Sequence, residues 1–491
     1  MKLKDVIKGL EILSATADRE QEITGVSYDS RTTAPGDVFV AISGEAVDGH
    51  RFIPMAAEKG AACVVCEHVP EGDIPYVQVA SSRKALALMA GNWFDHPAKE
   101  MTMIGVTGTS GKTTSTYLIK SILEQKAGAK VGLVGTIQNM IGDQVLHTER
   151  TTPESFELHR LFRQMSDAGC THVVMEVSSH ALALERVWGI TFRVGAFTNL
   201  TRDHLDFHRT MEDYCDAKAQ LFRQCEAAVC NGDDPWTPRL LRECACPVLR
   251  YGTGDSSRLR GENLRLTARS VAFDALLDGR RIPVTVPIPG RFTVYNALAA
   301  LGICHMLGVP PEQGAAALQT ASGIKGRMEV VPTPGLPCTV LIDYAHTPDA
   351  LENVLTAVRG FAEGRVVAVF QGDTYLSELT LLRQQSAEVI RQTTTGIRVP
   401  KEALRVRERT VTDEDGNESV VSETGVYCMV GMKARFKPVD VLYSGDDFAL
   451  VRSTLDTAEE VSKTQEQIRL RAGDEVIITA YDLYDGKVIG S

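Results

Sequence analysis

The fold is decided by the stretch Met103-Ile-Gly-Val-Thr-Gly-Thr-Ser-Gly-Lys-Thr-Thr114, in which an apolar run enters a glycine turn that leads into a predicted helix. Such a turn binds phosphate, because backbone N–H groups and the positive end of the helix both face it. Lys112 adds a charge for the β- and γ-phosphates, and Thr113 adds a hydroxyl for Mg²⁺. We therefore predict a nucleotide-binding phosphate loop formed by Gly108, Thr109, Ser110, Gly111, Lys112, Thr113 and Thr114.

The spacing of this loop departs from the strict G-x-x-x-x-G-K-[ST] pattern, because residue 106 is Val. The alternative is therefore a glycine-rich turn between strand and helix that carries an exposed lysine. The strand-turn-helix context favours the nucleotide-binding interpretation.

Length and composition indicate a globular chain. Its 491 residues, 44% hydrophobic and 23% charged, are enough for about three domains. No apolar run approaches the ~20 residues that span a bilayer, and the N-terminus does not resemble a signal peptide. The net charge of −11, without a polybasic run, argues against a nucleic-acid partner. We expect a cytoplasmic protein without a membrane segment, and a monomer.

Eleven cysteines are scattered along the chain, which fits reduced thiols better than a disulfide framework. Cys63-Val-Val-Cys66 and Cys244-Ala-Cys246 could form metal or redox pairs, but neither has a second ligand pair at zinc spacing. We interpret them as buried structural thiols.

Apolar strand-like runs alternate with helical patterns, which predicts an α/β fold with a mostly parallel sheet covered by helices. The predicted strands are 37–42, 103–107, 130–135, 172–177 and 194–198, and the predicted helices begin at Lys112, Glu154 and Thr293. Residues 259–289 alternate as antiparallel strands do. Ligands of such sheets gather at the carboxyl ends of the strands.

A new domain is predicted from about residue 331, with strands at 339–343 and 365–370. From Gln371 the alternation stops. A polar helix-like piece is followed by β-type segments at 425–430, 435–442 and 474–479, with turn signals at Asp415-Gly416 and Asp485-Gly486. The tail is therefore predicted to be a small β-rich module.

Four further segments could carry chemistry: Thr151-Thr-Pro-Glu154, Glu176-Val-Ser-Ser-His180, Asn199 to His208, and Asp213-Tyr-Cys-Asp-Ala-Lys218. Each has a structural alternative when taken alone. His180 and His204 could be satisfied half-buried histidines, Lys218 a solvated ion-pair partner and Thr151 a helix cap. Their joint occurrence after the phosphate loop favours function.

With these segments, the chain resembles the Mur ligases over residues 1 to about 370. The other motifs that carry the resemblance are Tyr28-Asp-Ser-Arg31, Gly36-Asp-Val-Phe-Val-Ala41, Gly44 to Phe52, Asn296, Gly326-Arg-Met-Glu329 and Asp343-Tyr-Ala-His-Thr-Pro348. The resemblance implies a UDP-sugar-binding domain (1–96), a central ATPase domain with a parallel sheet (97–330) and the start of a truncated Rossmann-like C-terminal domain (331–370). Residues 371–491 would be a foreign β-rich tail.

The resemblance also implies an activity of peptidoglycan biosynthesis. The substrates would be ATP, UDP-N-acetylmuramoyl-L-alanyl-D-glutamate and a diamino acid, either meso-diaminopimelate or L-lysine. The substrate carboxylate would attack the γ-phosphate of ATP, and the amine would then displace phosphate from the acyl phosphate to form an amide.

Site residues follow from the same resemblance. Ser30, Glu45 and Ala46 would bind the uridine nucleotide, and Thr151, Thr152, Ser178 and Arg186 the muramoyl-peptide. Asn296, Arg327 and Asp343 would contact ATP. Mg²⁺ ligands would be Thr113, Glu176, His204 and Lys218, the last as a carbamate formed with CO₂. The catalytic set would be Lys112, Lys218 and His204.

The resemblance ends near Phe370, where the family's Gly-Cys-Gly-Gly-Asp-Arg-Asp-type loop and its amino-acid-selecting motif are replaced by Gln371-Gly-Asp-Thr-Tyr375 and the tail. The tail resembles the C-terminal part of HlyD-type membrane-fusion adaptor proteins. We expect nucleotide binding with weak or absent ligation. The alternatives are a non-catalytic nucleotide-binding fusion with an adaptor-like module and a folylpolyglutamate-synthetase-like ligase.

Overall fold

The computed structural model describes residues 1–44, 47–335, 338–345, 348–369, 396–412, 418–431, 433–444, 447–457, 468–478, 480 and 483–488. These residues divide into two compact units, Met1–Val366 and the part of the chain from Val367 on. The predicted polar helix-like piece after Gln371 and the turn at Asp415-Gly416 lie outside the described residues.

The first unit begins with a five-stranded α/β sheet. Its elements are α1 (Leu3–Val6), β1 (Ile12–Ala15), β2 (Gly25–Ser27), β3 (Asp37–Val40), α2 (Ile53–Glu58), β4 (Cys63–Cys66), β5 (Tyr76–Val79) and α3 (Ser82–Trp93). The strand order is β1-β5-β4-β3-β2, and every pairing is parallel except that of β1 with β5.

Both cysteines of β4 are free and fully buried, as predicted. Burial raises the pKa of the Cys63 thiol to about 12 and that of Cys66 to about 11, so both stay protonated and inert at neutral pH. The other pair differs from the prediction in one respect. Cys244 and Cys246 are free but only half-buried, with their Sγ atoms 3.4 Å apart.

The first unit continues with an eleven-stranded sheet and its helices. Their bounds are β6 (Thr102–Thr107), α4 (Lys112–Ala127), β7 (Val131–Val134), β8 (Asn139–Ile141), β9 (Gln144–Leu146), α5 (Ser155–Asp167), β10 (His172–Glu176), α6 (Ser179–Ala183), β11 (Val194–Phe197), α7 (Leu205–His208), α8 (Met211–Ala219), β12 (Ala228–Asn231), α9 (Thr237–Leu240), β13 (Val248–Gly252), β14 (Leu259–Leu266), β15 (Val271–Leu277), β16 (Arg280–Val286), α10 (Arg291–Met306) and α11 (Pro311–Leu318).

The strand order of this sheet is β16-β15-β14-β13-β12-β11-β6-β10-β7-β8-β9. The strands from β14 to β7 in this order are parallel to one another, and antiparallel strands extend the sheet at both ends. The mostly parallel sheet and the antiparallel stretch 259–289 were therefore predicted correctly. Parallel strands are covered on both faces, which explains why β6 and β10 are almost entirely buried.

The last part of the first unit contains β17 (Glu329–Val331), β18 (Val340–Ile342) and α12 (Pro348–Arg359). The predicted strand at 339–343 is confirmed as β18, which pairs antiparallel with β17. The prediction of a strand at 365–370 is wrong for residues 365–369, which are not in a strand, and Phe370 lies outside the described residues.

The second unit is an antiparallel sheet, which confirms the prediction of a β-rich tail. Its strands are β19 (Ile397–Pro400), β20 (Leu404–Thr412), β21 (Glu418–Val430), β22 (Lys433–Ser444) and β23 (Phe448–Ser453), in the order β19-β23-β22-β21-β20. The predicted strand at 474–479 is wrong over its described residues, where Val476 forms only an isolated bridge to Cys428. The turn at Asp485-Gly486 is present, with Gly486 at φ +88°.

None of the helices in the described ranges is both long enough and apolar enough to cross a bilayer.

A buried histidine in α5 links the stability of the first unit to pH. His159 is 5% exposed, and its Nδ1 is buried without a hydrogen-bond partner among the described residues. Burial, with a smaller effect of the charge of His96, lowers the pKa of His159 to about 4. Because the unfolded chain binds this proton at higher pH than the folded chain, stability falls as pH drops from the ordinary histidine range toward 4.

We predict that the urea-unfolding free energy of wild type falls by roughly 2 kcal/mol more than that of His159→Leu between pH 7 and pH 5. The leucine removes the titrating ring but keeps an apolar side chain at the same place. Equal pH dependence in the two proteins would contradict the prediction.

Candidate active site at the phosphate loop

The site lies where the order of the central sheet reverses. Strand β6 is flanked by β10 on one side and β11 on the other, all three parallel, so their carboxyl ends meet at one edge. In open α/β sheets, ligands bind in the crevice at such a reversal. The phosphate loop follows β6, Glu176 ends β10, and Thr198 and Asn199 follow β11.

Glycine is required at two positions of the loop. Gly108 has φ +143° and Gly111 has φ +84°, and α4 begins directly after Gly111. A Cβ at Gly108 would lie 1.9 Å from Thr198 Oγ1, and one at Gly111 would lie 2.4 Å from Asn296 Oδ1. The neighbouring strand and helix therefore approach the loop too closely for any side chain there.

Lys112 bends back over its own loop. Its Nζ donates to the carbonyl oxygens of Gly108 and Thr109, both at 2.8 Å, so the alternative of an exposed lysine does not describe it. Burial lowers the pKa of Lys112, and the nearby charge of Glu176 opposes this effect.

Strand β11 supports the loop from the side. The amide of Asn199 accepts from Ser110 N at 3.0 Å and donates to Ser110 O at 3.0 Å. Thr198 Oγ1 also donates to Ser110 O, at 2.7 Å, and Asn199 O accepts from Thr109 N at 2.8 Å. The loop therefore has a defined shape before any phosphate contacts it.

Glu176 is a buried carboxylate beside the start of α4, with 1% of its surface exposed. Its Oε1 accepts from Thr113 Oγ1 at 3.0 Å and from Thr136 N at 2.9 Å, and its Oε2 accepts from Thr136 Oγ1 at 3.0 Å. Thr136 was missed from the sequence. The signal was its position two residues after the end of β7, at the same edge of the sheet as the other polar strand ends.

The donor chemistry here fits Mg²⁺, which prefers oxygen ligands and usually takes one or two from protein and the rest from phosphates and water. Thr113 and Glu176 supply a hydroxyl and a carboxylate. No group of three or more His, Cys, Asp or Glu side chains in the described ranges is arranged to hold a metal ion.

Lys218 is a lysine buried inside the protein, 1% exposed, on α8. Its Nζ donates to Gly108 O at 3.0 Å, the oxygen that Lys112 also contacts. Burial first, and the charge of Lys112 second, hold the pKa of Lys218 well below its usual range. The structure therefore does not support the alternative of a solvated ion-pair partner.

Histidine and aromatic rings pack next to this lysine. The ring of His180 lies 4.9 Å from that of His204 and 5.6 Å from that of His208. Burial lowers the pKa of His204, and it lowers the pKa of His208 to about 4. His204 is the more exposed of these two, and its Nε2 lies 3.5 Å from Asp203 Oδ2.

The four residues predicted to bind the muramoyl-peptide lie on adjoining segments. Thr151 Oγ1 is 3.0 Å from Thr136 Oγ1, and Thr152 Oγ1 donates to Glu176 O at 2.7 Å. Ser178 caps α6 through its hydroxyl. The guanidinium of Arg186 donates to Glu154 Oε2 and to Thr152 O, both at 3.1 Å.

The other predicted contacts fall in three places. Asn296 is buried on α10 beside Gly111, and Ser30 is buried in the first sheet's domain, whereas Glu45 and Ala46 lie outside the described residues. The charge of Arg327 is near enough to lower the pKa of Lys112. Asp343 accepts from Met328 N at 2.8 Å and from Ala345 N at 2.9 Å, so it holds the turn that presents Arg327.

Comparisons with known proteins point to one family. Residues 22–93 match the Mur ligase family catalytic domain, residues 106–304 the Mur ligase middle domain, and residues 326–395 the Mur ligase glutamate ligase domain. UDP-N-acetylmuramoyl-L-alanyl-D-glutamate–2,6-diaminopimelate ligase of Clostridium botulinum is 43% identical over 376 residues, 75% of this chain and 77% of the relative. The enzyme of the same name from Clostridium tetani is 45% identical over 377 residues, 75% of this chain and 77% of the relative.

A solved structure of a protein with that name superimposes with a TM-score of 0.64 at 26% identity, covering 75% of this chain and 76% of the other. Together, fold and site define an ATP-dependent ligase with a three-domain α/β fold. The chain belongs to the Mur ligase family.

We predict that Gly108→Ala weakens binding of MgATP at least about tenfold, because the added Cβ collides with Thr198 Oγ1 and displaces the loop. The measurement is calorimetric titration with MgATP. The control is Gly128→Ala at the end of α4, where φ is +62° and no atom lies within 4 Å of a built Cβ. If both variants bound MgATP as wild type does, the loop would not be the nucleotide site.

Proposed function

We propose that this chain uses ATP to activate the free carboxylate of UDP-N-acetylmuramoyl-L-alanyl-D-glutamate and joins it to 2,6-diaminopimelate. The substrates are those printed in the names of the relatives, and identities of 43–45% over three quarters of the chain support the transfer. The observation that carries the proposal is the meeting of Lys112, Lys218, Thr113 and Glu176 at one phosphate loop.

The chemistry requires two anions to meet. The substrate carboxylate attacks the γ-phosphorus of ATP, ADP leaves, and an acyl phosphate forms. The amine then attacks the acyl carbon, phosphate leaves, and the amine loses a proton as the amide forms. Positive charge that is already in place offsets the repulsion of the first step, which is the role of Lys112 and, when bound, of Mg²⁺.

The remaining residues position the substrates. Asn296 would lie next to the adenine, and Arg327 would reach the phosphates. Thr151, Thr152, Ser178 and Arg186 would bind the peptide part, and Ser30, Glu45 and Ala46 the uridine nucleotide. His204 would hold a second metal ion.

The proposal includes a division of the chain into residues 1–96, 97–330, 331–370 and 371–491. It also places the protein in the cytoplasm, since eleven free thiols fit a reducing compartment.

Lys218 is proposed to act as a carbamate. The neutral amine nitrogen adds to the carbon of CO₂ and loses one proton, which gives a carbamate anion that can ligate a metal ion. Two observations support this: burial lowers the pKa of the Lys218 amine, which favours its nucleophilic neutral form, and Lys112 supplies a neighbouring positive charge for the product.

The second candidate is nucleotide binding without efficient ligation. The observation that favours it is that the antiparallel sheet of the second unit begins at Ile397, after the last family match ends at residue 395. The resemblance assigns the incoming amino acid to the C-terminal domain, and an acyl phosphate without a neighbouring amine is open to water.

We predict that wild type releases phosphate from ATP when the UDP-sugar dipeptide and Mg²⁺ are present, and that Lys112→Ala lowers this rate at least about 100-fold, since it removes charge from the reacting phosphates. The control is Lys126→Ala, an exposed lysine on the same helix. Mass spectrometry of the product after adding 2,6-diaminopimelate distinguishes the two candidates. Tripeptide supports ligation, and phosphate release without tripeptide supports the second.

We predict a carbamate ¹³C NMR signal when wild type is incubated with ¹³C-bicarbonate, and its loss in Lys218→Gln. Gln keeps a polar side chain of similar length but cannot add CO₂. A signal of equal size in the variant would place the carbamate elsewhere, and no signal in wild type would remove the carbamate from the mechanism.

A further inference from the structure

Tyr214 lies between the phosphate loop and the buried side chain of Lys218. It is on α8, four residues before Lys218, so both side chains lie on one face of the helix. It is 1% exposed. The Lys218 Nζ lies 4.4 Å from the centre of its ring, and the His208 ring packs against it at 5.0 Å, tilted by 30°.

The tyrosine hydroxyl contacts the loop itself, 3.1 Å from Thr109 Oγ1. Thr109 Oγ1 also lies 3.3 Å from Thr201 O and accepts from Thr201 N at 3.1 Å. A threonine hydroxyl has a single hydrogen, which Thr201 O takes as the acceptor. All three contacts are therefore satisfied only when Tyr214 donates to Thr109.

These contacts reach the loop from two directions. Thr109 follows Gly108 directly in the chain, and Gly108 O accepts from both Lys112 and Lys218. The hydroxyl of Tyr214 thus contacts Thr109, the residue after this carbonyl. Its ring packs against the amine of Lys218, which is one of the two amines that donate to the carbonyl.

We propose that Tyr214 is a positioning residue that sets the shape of the phosphate loop for ATP through its hydroxyl and places the Lys218 amine through its ring. The inference rests on the proposed function for its link to catalysis, but its effect on nucleotide binding does not depend on ligation.

A tyrosine that only fills the core needs a hydrogen-bond partner for its hydroxyl, but any nearby polar atom can serve. Tyr251 is such a case, since it is 1% exposed on β13 and its hydroxyl donates at 3.1 Å to Phe197 O at the end of β11, two strands away in the sheet. Tyr214 instead donates to a side chain of the phosphate loop. The two residues therefore form a matched pair for experiment.

The first test is Tyr214→Phe against Tyr251→Phe in the full-length chain. Each change removes one buried hydroxyl, so both should lower the melting temperature by a similar amount. We expect Tyr214→Phe alone to raise the Kd for MgATP, by about fivefold, because Thr109 loses a donor. An unchanged Kd in Tyr214→Phe, or an equal rise in both variants, would overturn the role of the hydroxyl.

The second test is a double-mutant cycle with Thr109→Val. If Tyr214 acts through Thr109, Tyr214→Phe should change the Kd less than about twofold when it is added to the Thr109→Val variant. Additive effects would show that the hydroxyl acts on something other than the loop.

The third test is Tyr214→Leu, which also removes the ring. Relative to Tyr214→Phe, we expect a further fall in kcat for phosphate release of at least about fivefold with little further change in KM for ATP, because the Lys218 side chain loses the ring against which it packs. Equal kcat values would overturn the role of the ring. Wild type that binds MgATP but releases no phosphate would refute the proposed ligase while leaving the first two tests intact.

Discussion

The carbonyl oxygen of Gly108 is the point on which the site depends, because two lysine amines, those of Lys112 and Lys218, both donate to it. Two cationic groups repel each other, and an accepting oxygen between them offsets part of that cost. Burial first, and this repulsion second, lower the pKa of the Lys218 amine. Placement of one backbone oxygen thus brings the two amines together at the start of the loop.

This oxygen can be placed only because Gly108 has no side chain. Its φ of +143° and the 1.9 Å separation that a Cβ would have from Thr198 Oγ1 exclude every other residue. The same close approach lets Thr198 and Asn199 of the neighbouring strand hold Ser110. Close packing of β11 against the loop therefore provides preorganisation, because the backbone of Thr109 and Ser110 is held by Asn199 before any nucleotide binds.

The two units have different kinds of architecture. The first is built around a large, mostly parallel sheet, and the family matches at residues 22–93 and 106–304 lie within it. The second is a small antiparallel sheet whose strands pair mainly with their sequence neighbours, so its register is set by local turns.

Local sequence patterns were enough to predict the phosphate loop, the alternation of strands and helices that makes a parallel sheet, the antiparallel stretch at 259–289 and the β-rich tail. These are local patterns of spacing, turn residues and apolar periodicity, which short-range physics decides. The predicted strand at 365–370 is absent over residues 365–369, since an apolar run becomes a strand only where another strand is available to pair with it. Tertiary packing buries Lys218, lets it share Gly108 O with Lys112, and brings Thr136 to Glu176 and Tyr214 to Thr109. Burial and contacts between residues as far apart as Gly108 and Lys218 arise from the packing of strand ends, and no local pattern in the sequence encodes them.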